Sequence, residues 1–275
     1  MFIFMSTSIN TCKTKVIMPK KKDPEIQFHS IEPYSRLAPY YDDLMDYIDY
    51  DLWVEDVLEF IKDDATVKNL LDVSCGTGSM AVRFARAGLK VTAVDLSPEM
   101  IDQARKKVDA DNLTQSITLA VGDMREIAFS EPFDVIINLH DGMNYLPNSE
   151  SAGQFLTHAY ELLRPNGWLV VDVVTPLLCE THFKGYREIF TDESGGYERE
   201  TNYDSQSREA LTKFIFEVSP TEYLVEEHRQ QAYDLSDVRQ MCENSPFNAW
   251  KILDDEDLSE ANASSERFYV IFRKT

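Results

Sequence analysis

The chain is 275 residues long, 43% of them hydrophobic, with 48 acidic against 27 basic side chains and a formal charge of −21. Its length suits one large domain, or one domain with an insertion, and its acidity argues against a phosphate-backbone partner, so nucleic acid is set aside. No run reaches the roughly 18 apolar residues of a membrane span, and the four cysteines, Cys12, Cys75, Cys179 and Cys242, are scattered without metal-ligand spacing, which points to a reducing cytoplasm and to no metal site.

Residues 1–27 read as a disordered tail. Met1 to Ile9 is mildly apolar but lacks a basic leading segment, so it is not taken as a signal peptide. Residues 28–65 are expected to form a helical lid. Tyr34, Tyr40, Tyr41, Tyr47 and Tyr50 are interleaved with Asp42, Asp43, Asp46, Asp49 and Asp51, and Trp53 to Ile61 then repeats apolar residues at helical spacing. Such helices either pack on a sheet or close over a ligand, with phenol hydroxyls as polar handles.

A core is expected over residues 66–178. The apolar run Asn69 to Val73 ends in Ser74-Cys75-Gly76-Thr77-Gly78, and the amphipathic Met80 to Ala87 follows at once: a strand, a tight turn and a helix. Gly76 and Gly78 let a ligand lie against the main chain at the helix N-terminus, where the first amides lack intrahelical partners. Asp72 is the one charge on the strand, and a buried carboxylate needs a cation or a set of donors. The next strand, Leu89 to Val94, ends at Asp95, where a doubly wound fold places the acid that grips ribose hydroxyls. Ser97 is a capping candidate and Pro98 fits the first turn of the helix that follows. Ser116 to Val121 is closed by Gly122-Asp123-Met124-Arg125, and Phe133 to Leu139 leads into the polar stretch His140 to Tyr145. Ser149 to Leu163 reads as a helix, Arg164 to Gly167 as a turn, and Trp168 to Val174 as a fifth strand. Strands alternating with helices imply right-handed βαβ units and a mainly parallel sheet. Gly76, Gly78 and Ala81 also satisfy the G-x-G-x-x-G/A pattern of dinucleotide binding, so from this loop alone a nicotinamide cofactor and a ligand-free turn stay open.

From 179 to 233 the helical period is lost. Four segments, near 186–190, 196–201, 210–216 and 223–229, alternate apolar with polar and are separated by Gly, Asp, Ser and Pro, which reads as a small antiparallel meander inserted into the α/β domain. Residues 234–275 return to the core: a helix over Leu235 to Glu243 capped by Ser236 or Asp234, then two strands, Asn248 to Leu253 and Arg267 to Phe272.

LLDVSCGTG (Leu70 to Gly78), VTAVDLSPEMIDQAR (Val91 to Arg105), VGDMREI (Val121 to Ile127) and LLRPNGWLVVDV (Leu162 to Val173) stand in that order, and together they resemble the motifs of class I S-adenosylmethionine-dependent methyltransferases. More narrowly, YSRLAPYYDDL (Tyr34 to Leu44), HDGMNYL from His140, EEHRQQAY (Glu226 to Tyr233) and SERFYVIFRK (Ser265 to Lys274) resemble the YqeM-like group of bacterial methyltransferases. That group is similar in layout to sugar N-methyltransferases with a small β insertion. The resemblance implies a Rossmann-like fold: a doubly wound, seven-stranded, mainly parallel sheet carrying a small antiparallel β insertion. It implies S-adenosyl-L-methionine as cofactor and, by position, a set of roles. Asp72 and the Cys75-Gly76 backbone would hold the methionine end, with Ser74, Gly78 and Tyr34 in the same pocket. Asp95 would take both ribose hydroxyls, Leu96 or Met100 would pack on the adenine, Asp123 would meet its amine and Met124 its ring. Leu139 and His140 would border the methionine moiety.

Methyl transfer from a sulfonium asks chiefly for alignment, which can be worth roughly 7–11 kcal/mol. A general base adds at most about 10²–10⁴-fold and is dispensable for an amine or carboxylate acceptor. Candidates for that part are His140 and Tyr145, with Asp141 beside them, His228 and Glu227 on the insertion, and Tyr34 and Tyr40 in the lid. The expected activity is methyl transfer to a small-molecule acceptor. The alternatives are a non-catalytic cofactor-binding protein whose meander serves as a homodimer or partner surface, and a nicotinamide-dependent oxidoreductase.

Overall fold

The structure is a computed structural model that describes residues 26–192 and 195–275. The tail expected over 1–27 falls almost wholly outside the described residues. In chain order the regular elements are strand β1 (Gln27–Ile31), helix α1 (Tyr50–Ile61), β2 (Asn69–Asp72), α2 (Ser79–Arg86), β3 (Lys90–Asp95), α3 (Pro98–Ala110), β4 (Ile117–Val121), β5 (Phe133–Asn138), α4 (Ser149–Leu162), β6 (Leu163–Val174), β7 (Tyr186–Asp192), β8 (Gly195–Asp204), β9 (Glu209–Ser219), β10 (Glu222–Gln231), α5 (Leu235–Asn244), β11 (Ala249–Asp254) and β12 (Arg267–Arg273).

Seven strands make one sheet in the order β11-β12-β6-β5-β2-β3-β4. Five of them, β4, β3, β2, β5 and β6, run parallel; β12 is antiparallel to β6, and β11 to β12. Parallel strands covered by helices on both faces need apolar side chains on both faces, and β5 (FDVIIN) is buried at every position. On one face Val57, Phe84, Ile101 and Tyr269 form the core beneath α1, α2 and α3; on the other, Phe155, Leu156, Phe268 and Phe272 do so beneath α4 and α5. Each such side chain, fully buried, contributes about 1.5–3 kcal/mol.

Local chemistry sets the helix starts. The Ser97 hydroxyl accepts from the Met100 amide at 3.2 Å with Pro98 in the first turn, and Asn148 accepts from Ser151 at 2.9 Å. Asp234 rather than Ser236 caps α5, in a reciprocal capping box with Asp237.

The chain passes outward through β2, β3 and β4 and then returns to place β5 on the other side of β2. That reversal opens a crevice at the carboxyl ends of β2 and β5, the place where open α/β sheets take ligands.

Above that edge lies a second sheet, β1-β10-β9-β8-β7, whose last four strands form the antiparallel meander. Asn144, 1% exposed, fastens it: its amide donates to the carbonyls of Val174 (3.1 Å) and Gln231 (2.7 Å), and its carbonyl accepts from the Val174 amide (3.0 Å).

Two segments differ from the expectation. Residues 28–31, expected to begin the helical region, form β1, a parallel edge strand on β10. The Arg164 to Gly167 segment, expected as a turn, opens the long strand β6, because the chain end continues to pair with it: the Asn166 amide donates to the Lys274 carbonyl (2.7 Å) and the Lys274 amide to Gly167 (3.0 Å).

Candidate active site

The crevice encloses about 520 Å³ between the strand tips of the large sheet, the meander and the aromatic segment that follows β1. Asp72, Asp95 and Asp123 stand at the ends of three neighbouring strands, β2, β3 and β4, and all three line it. They differ sharply in what holds them.

Asp72 is 3% exposed, and its carboxylate accepts one long hydrogen bond, from the Ser74 amide at 3.3 Å. Burial, with the nearby Asp95 charge adding to it, pushes its pKa up to about 7. Asp95 is better provided: its two oxygens accept from the amides of Gly76 (2.8 Å) and Ser97 (2.9 Å), and burial still lifts it above the usual carboxylate range. Asp123 is clasped by its neighbour Arg125, whose backbone amide and Nε each donate to one carboxylate oxygen at 2.9 Å, and this holds it below the usual range.

The glycine turn divides in two. Gly76 (φ +52°) lies on the crevice wall. Gly78 (φ +78°) does not line the crevice; it begins α2, and a Cβ there would stand 3.1 Å from the Ala104 methyl of α3. Its role is close packing of two helices. Lys107 ties the same corner together, its Nζ donating to Ser79 Oγ (2.6 Å), Asp42 Oδ1 (3.0 Å) and Thr77 Oγ1 (3.1 Å).

The opposite wall is the loop after β5. Leu139, His140, Gly142 and Tyr145 line the crevice. His140 and Asp141 both have left-handed backbones, φ +63° and +69°, a conformation that costs about 1–2 kcal/mol for a side-chain-bearing residue. A buried ion cluster offsets it. The Asp141 amide donates to Asp172 (3.1 Å), and Asp141 and Asp172 both accept from the Arg267 guanidinium, which lies 5.3 Å from the Trp53 ring centre. Burial raises Asp172 to about 7, whereas for Asp141 the burial effect is outweighed by Arg267 and His140, leaving it below the usual range. His140 packs between Tyr50 and Trp53 with Nδ1 3.1 Å from the Tyr41 hydroxyl, and burial keeps its pKa below the ordinary value. Two buried atoms beside this loop, Ser74 Oγ and Asn138 Oδ1, have no partner among the described residues.

Of the residues singled out from sequence, Tyr34, Asp72, Ser74, Cys75, Gly76, Asp95, Leu96, Met100, Asp123, Met124, Leu139, His140 and Tyr145 line one crevice. Leu96 lies at the surface (69% exposed) and Met100 is buried beneath it. Glu227 reaches the rim, paired with Lys213 and Arg229. His228 does not line the crevice: it is 2% exposed, and its Nδ1 lies 3.2 Å behind the Tyr145 hydroxyl. Its partner Glu226 escaped the sequence reading. Glu226 is fully buried and faces inward with His228 because alternate residues of a strand share a face. That period of two was visible in EEHRQQAY; which face was the dry one was not.

Residues 70–167 match the model of a methyltransferase domain. A candidate methyltransferase of Geobacillus sp. (strain WCH70) is 30% identical over 247 residues, 88% of this chain and 99% of that protein. The candidate methyltransferase YqeM of Bacillus subtilis (strain 168) is 28% identical over 246 residues, 88% of this chain and 97% of that one. A crystal structure of an S-adenosylmethionine-dependent methyltransferase from Clostridium acetobutylicum ATCC 824 shares the fold with a TM-score of 0.72 at 21% identity, covering 87% of this chain and 98% of its own. The domain match and the similarity along almost the whole of the Geobacillus protein thus define a methyltransferase, on a fold shared with the S-adenosylmethionine-dependent enzyme. Within that class, similarity along nearly the whole length shows that the chain belongs to the YqeM-like family.

Proposed function

We propose that the chain transfers the methyl group of S-adenosyl-L-methionine to a small-molecule acceptor, with the cofactor laid across the tips of β2, β3 and β4. The observation that carries this reading is Asp72, a buried carboxylate with no cation beside it among the described residues and a pKa of about 7. An α-ammonium group there supplies the missing charge. Ser74 Oγ, on a residue that lines the crevice and without a partner among the described residues, fits a polar ligand there. The bound sulfonium brings an activated methyl group with a neutral leaving group.

The protein's own contribution is placement. Asp72 with the Cys75-Gly76 backbone holds the methionine end. Asp95, already oriented by two backbone amides, presents its remaining lone pairs to the ribose hydroxyls. Leu96 and Met100 flank the adenine, Met124 packs on its ring and Asp123 accepts from its amine. Leu139 and His140 border the methionine, and Tyr34, Tyr41 and Tyr50 close the aromatic side and exclude water. Among the described residues Cys75, Cys179 and Cys242 are buried and free, which supports a reducing compartment. The meander's exposed Ile189 and Val218 leave a surface on which two copies could pair.

Calorimetry with S-adenosylmethionine tests the assignment. Two hydrogen bonds to a charged carboxylate are each worth about 1.5–3 kcal/mol, so Asp95→Ala is expected to weaken binding by about 10²-fold or more. Unchanged affinity removes the ribose assignment. Methyl transfer from labelled cofactor to a deproteinised metabolite extract separates an enzyme from a cofactor-binding protein without turnover.

A further inference from the structure

We infer that Tyr34, Tyr145 and His228 form a one-way proton relay leading out of the crevice, with Glu226 as the positioning residue that fixes its direction. This rests on the reading of the crevice as the methyl-transfer site, and it narrows the acceptor to one whose attacking atom carries a proton.

The geometry is a single line of hydrogen bonds. The Tyr34 and Tyr145 hydroxyls are 2.6 Å apart, Tyr145 lies 3.2 Å from His228 Nδ1, and His228 Nε2 lies 3.2 Å from Glu226 Oε2. Glu226 is fully buried on the inner face of β10, and its oxygens also accept from the backbone amides of Tyr34 (2.8 Å), Leu37 (3.0 Å) and Arg36. Three backbone donors mark it as an acceptor-only carboxylate. Every bond in the line then has one polarity. Glu226 accepts from His228 Nε2–H, so Nδ1 carries the lone pair. Nδ1 accepts from the Tyr145 hydroxyl, so the Tyr145 oxygen accepts from Tyr34. The Tyr34 oxygen is left with its lone pairs at the crevice, which both tyrosines line. The same carboxylate holds the turn in which Tyr34 adopts φ +66°, so the backbone that places Tyr34 and the ring that receives the proton share one anchor.

The proton balance is complete. As an acceptor X–H forms its bond to the methyl carbon and the carbon–sulfur pair stays on sulfur, the proton on X passes to the Tyr34 oxygen. The Tyr34 proton passes to Tyr145, and the Tyr145 proton to His228 Nδ1. The resulting imidazolium faces the Glu226 carboxylate, and one positive charge has moved from the crevice to a buried ion pair. Both phenols are neutral in the resting protein, since burial raises them well above the ordinary phenol range. A hydroxyl, or an amine that still carries an N–H, suits this arrangement. A thioether or a tertiary amine has no proton to give.

Nitrogen NMR of the full-length protein with S-adenosylhomocysteine bound and its histidine rings labelled is the direct test. His228 is expected in the Nε2–H form, with Tyr145→Phe moving only its Nδ1 resonance. Glu226→Gln, whose side chain can also donate, is expected to admit the Nδ1–H form. A wild-type His228 in the Nδ1–H form cannot accept from Tyr145 and overturns the relay. In the metabolite-extract assay, Tyr145→Phe and His228→Asn are each expected to lower transfer by about 10²–10⁴-fold, with the double variant no lower than either single one. Singles within threefold of wild type, or losses that multiply, also overturn it. Calorimetry with S-adenosylhomocysteine keeps the two readings apart: normal binding by these variants leaves the cofactor site standing whichever way the relay falls.

Discussion

Asp72 accepts one long hydrogen bond and has no cation beside it among the described residues, and its titration makes the proposed ammonium contact measurable. A carboxyl group raised from 3.8 to about 7 binds its proton more tightly in the folded than in the unfolded chain. Its contribution to stability is therefore full below the unfolded value and is lost as pH rises from about 4 to about 7. An ammonium ligand needs the ionised form, so below pH 7 binding must expel the proton. Affinity for S-adenosylmethionine is expected to rise by up to about tenfold per pH unit towards pH 7 and then level off. Calorimetry at pH 6 in two buffers of different ionisation enthalpy is expected to show close to one proton released, and Asp72→Asn none. No proton release by the wild type transfers the ammonium to some other group. At this scale the acids were legible in the sequence, because a charge ending an apolar run has few reasons to be there. Gly78 and His228 were only half legible. Their chemistry marked them, but the face each presents depends on a neighbour, Ala104 or Tyr145, brought near by the fold.

Element by element, the large sheet was readable because each parallel strand is a nearly continuous apolar run bounded by turn residues. Strand β1 was not: its side chains from Gln27 to Ser30 are all exposed, and its pairing partner β10 lies almost 200 residues away. The meander's alternation gave its strands but not its buried polar row. The loop after β5 also depends on a partner far along the chain, 126 residues beyond Asp141. Arg267, from β12, lies between Asp141 and Asp172 and also reaches towards Asp255 at 3.7 Å. Removing one member of a buried ion cluster leaves the others unpaired, at about 3–5 kcal/mol. Arg267→Met is thus expected to lower the Tm by roughly 10 °C, at about 2–4 °C per kcal/mol for a domain of this size. Adding Asp172→Leu is expected to restore part of that loss: one of the two stranded carboxylates is then gone, while Asp141 stays without its cation and its amide loses an acceptor. Scanning calorimetry of the single and double variants decides it, and a double variant less stable than the single one means the cluster is not what holds the loop.

At the scale of the whole molecule the net charge of −21 acts on stability and on binding in opposite senses. Self-repulsion of so many carboxylates weakens the compact state. Among the described residues most ion pairs have at least one exposed partner, and an exposed pair is worth about 0–1 kcal/mol. Salt shortens the reach of the repulsion, from about 30 Å at 0.01 M to about 8 Å at 0.15 M, so the Tm of the ligand-free protein is expected to rise over that range. The same negative field draws in a cation. S-adenosylmethionine carries one net positive charge more than S-adenosylhomocysteine, the sulfonium, so the substrate form gains from the field and the product form does not. Over the same rise in salt, affinity for S-adenosylmethionine is expected to fall while that for S-adenosylhomocysteine changes little. The preference for substrate over product is then a property of the whole charge distribution as well as of contacts at the sulfur. Thermal melts and calorimetry at the two salt concentrations test both halves at once. Equal salt dependence for the two ligands places the discrimination in the crevice alone, and a Tm that falls with added salt means that local ion pairs outweigh the net charge.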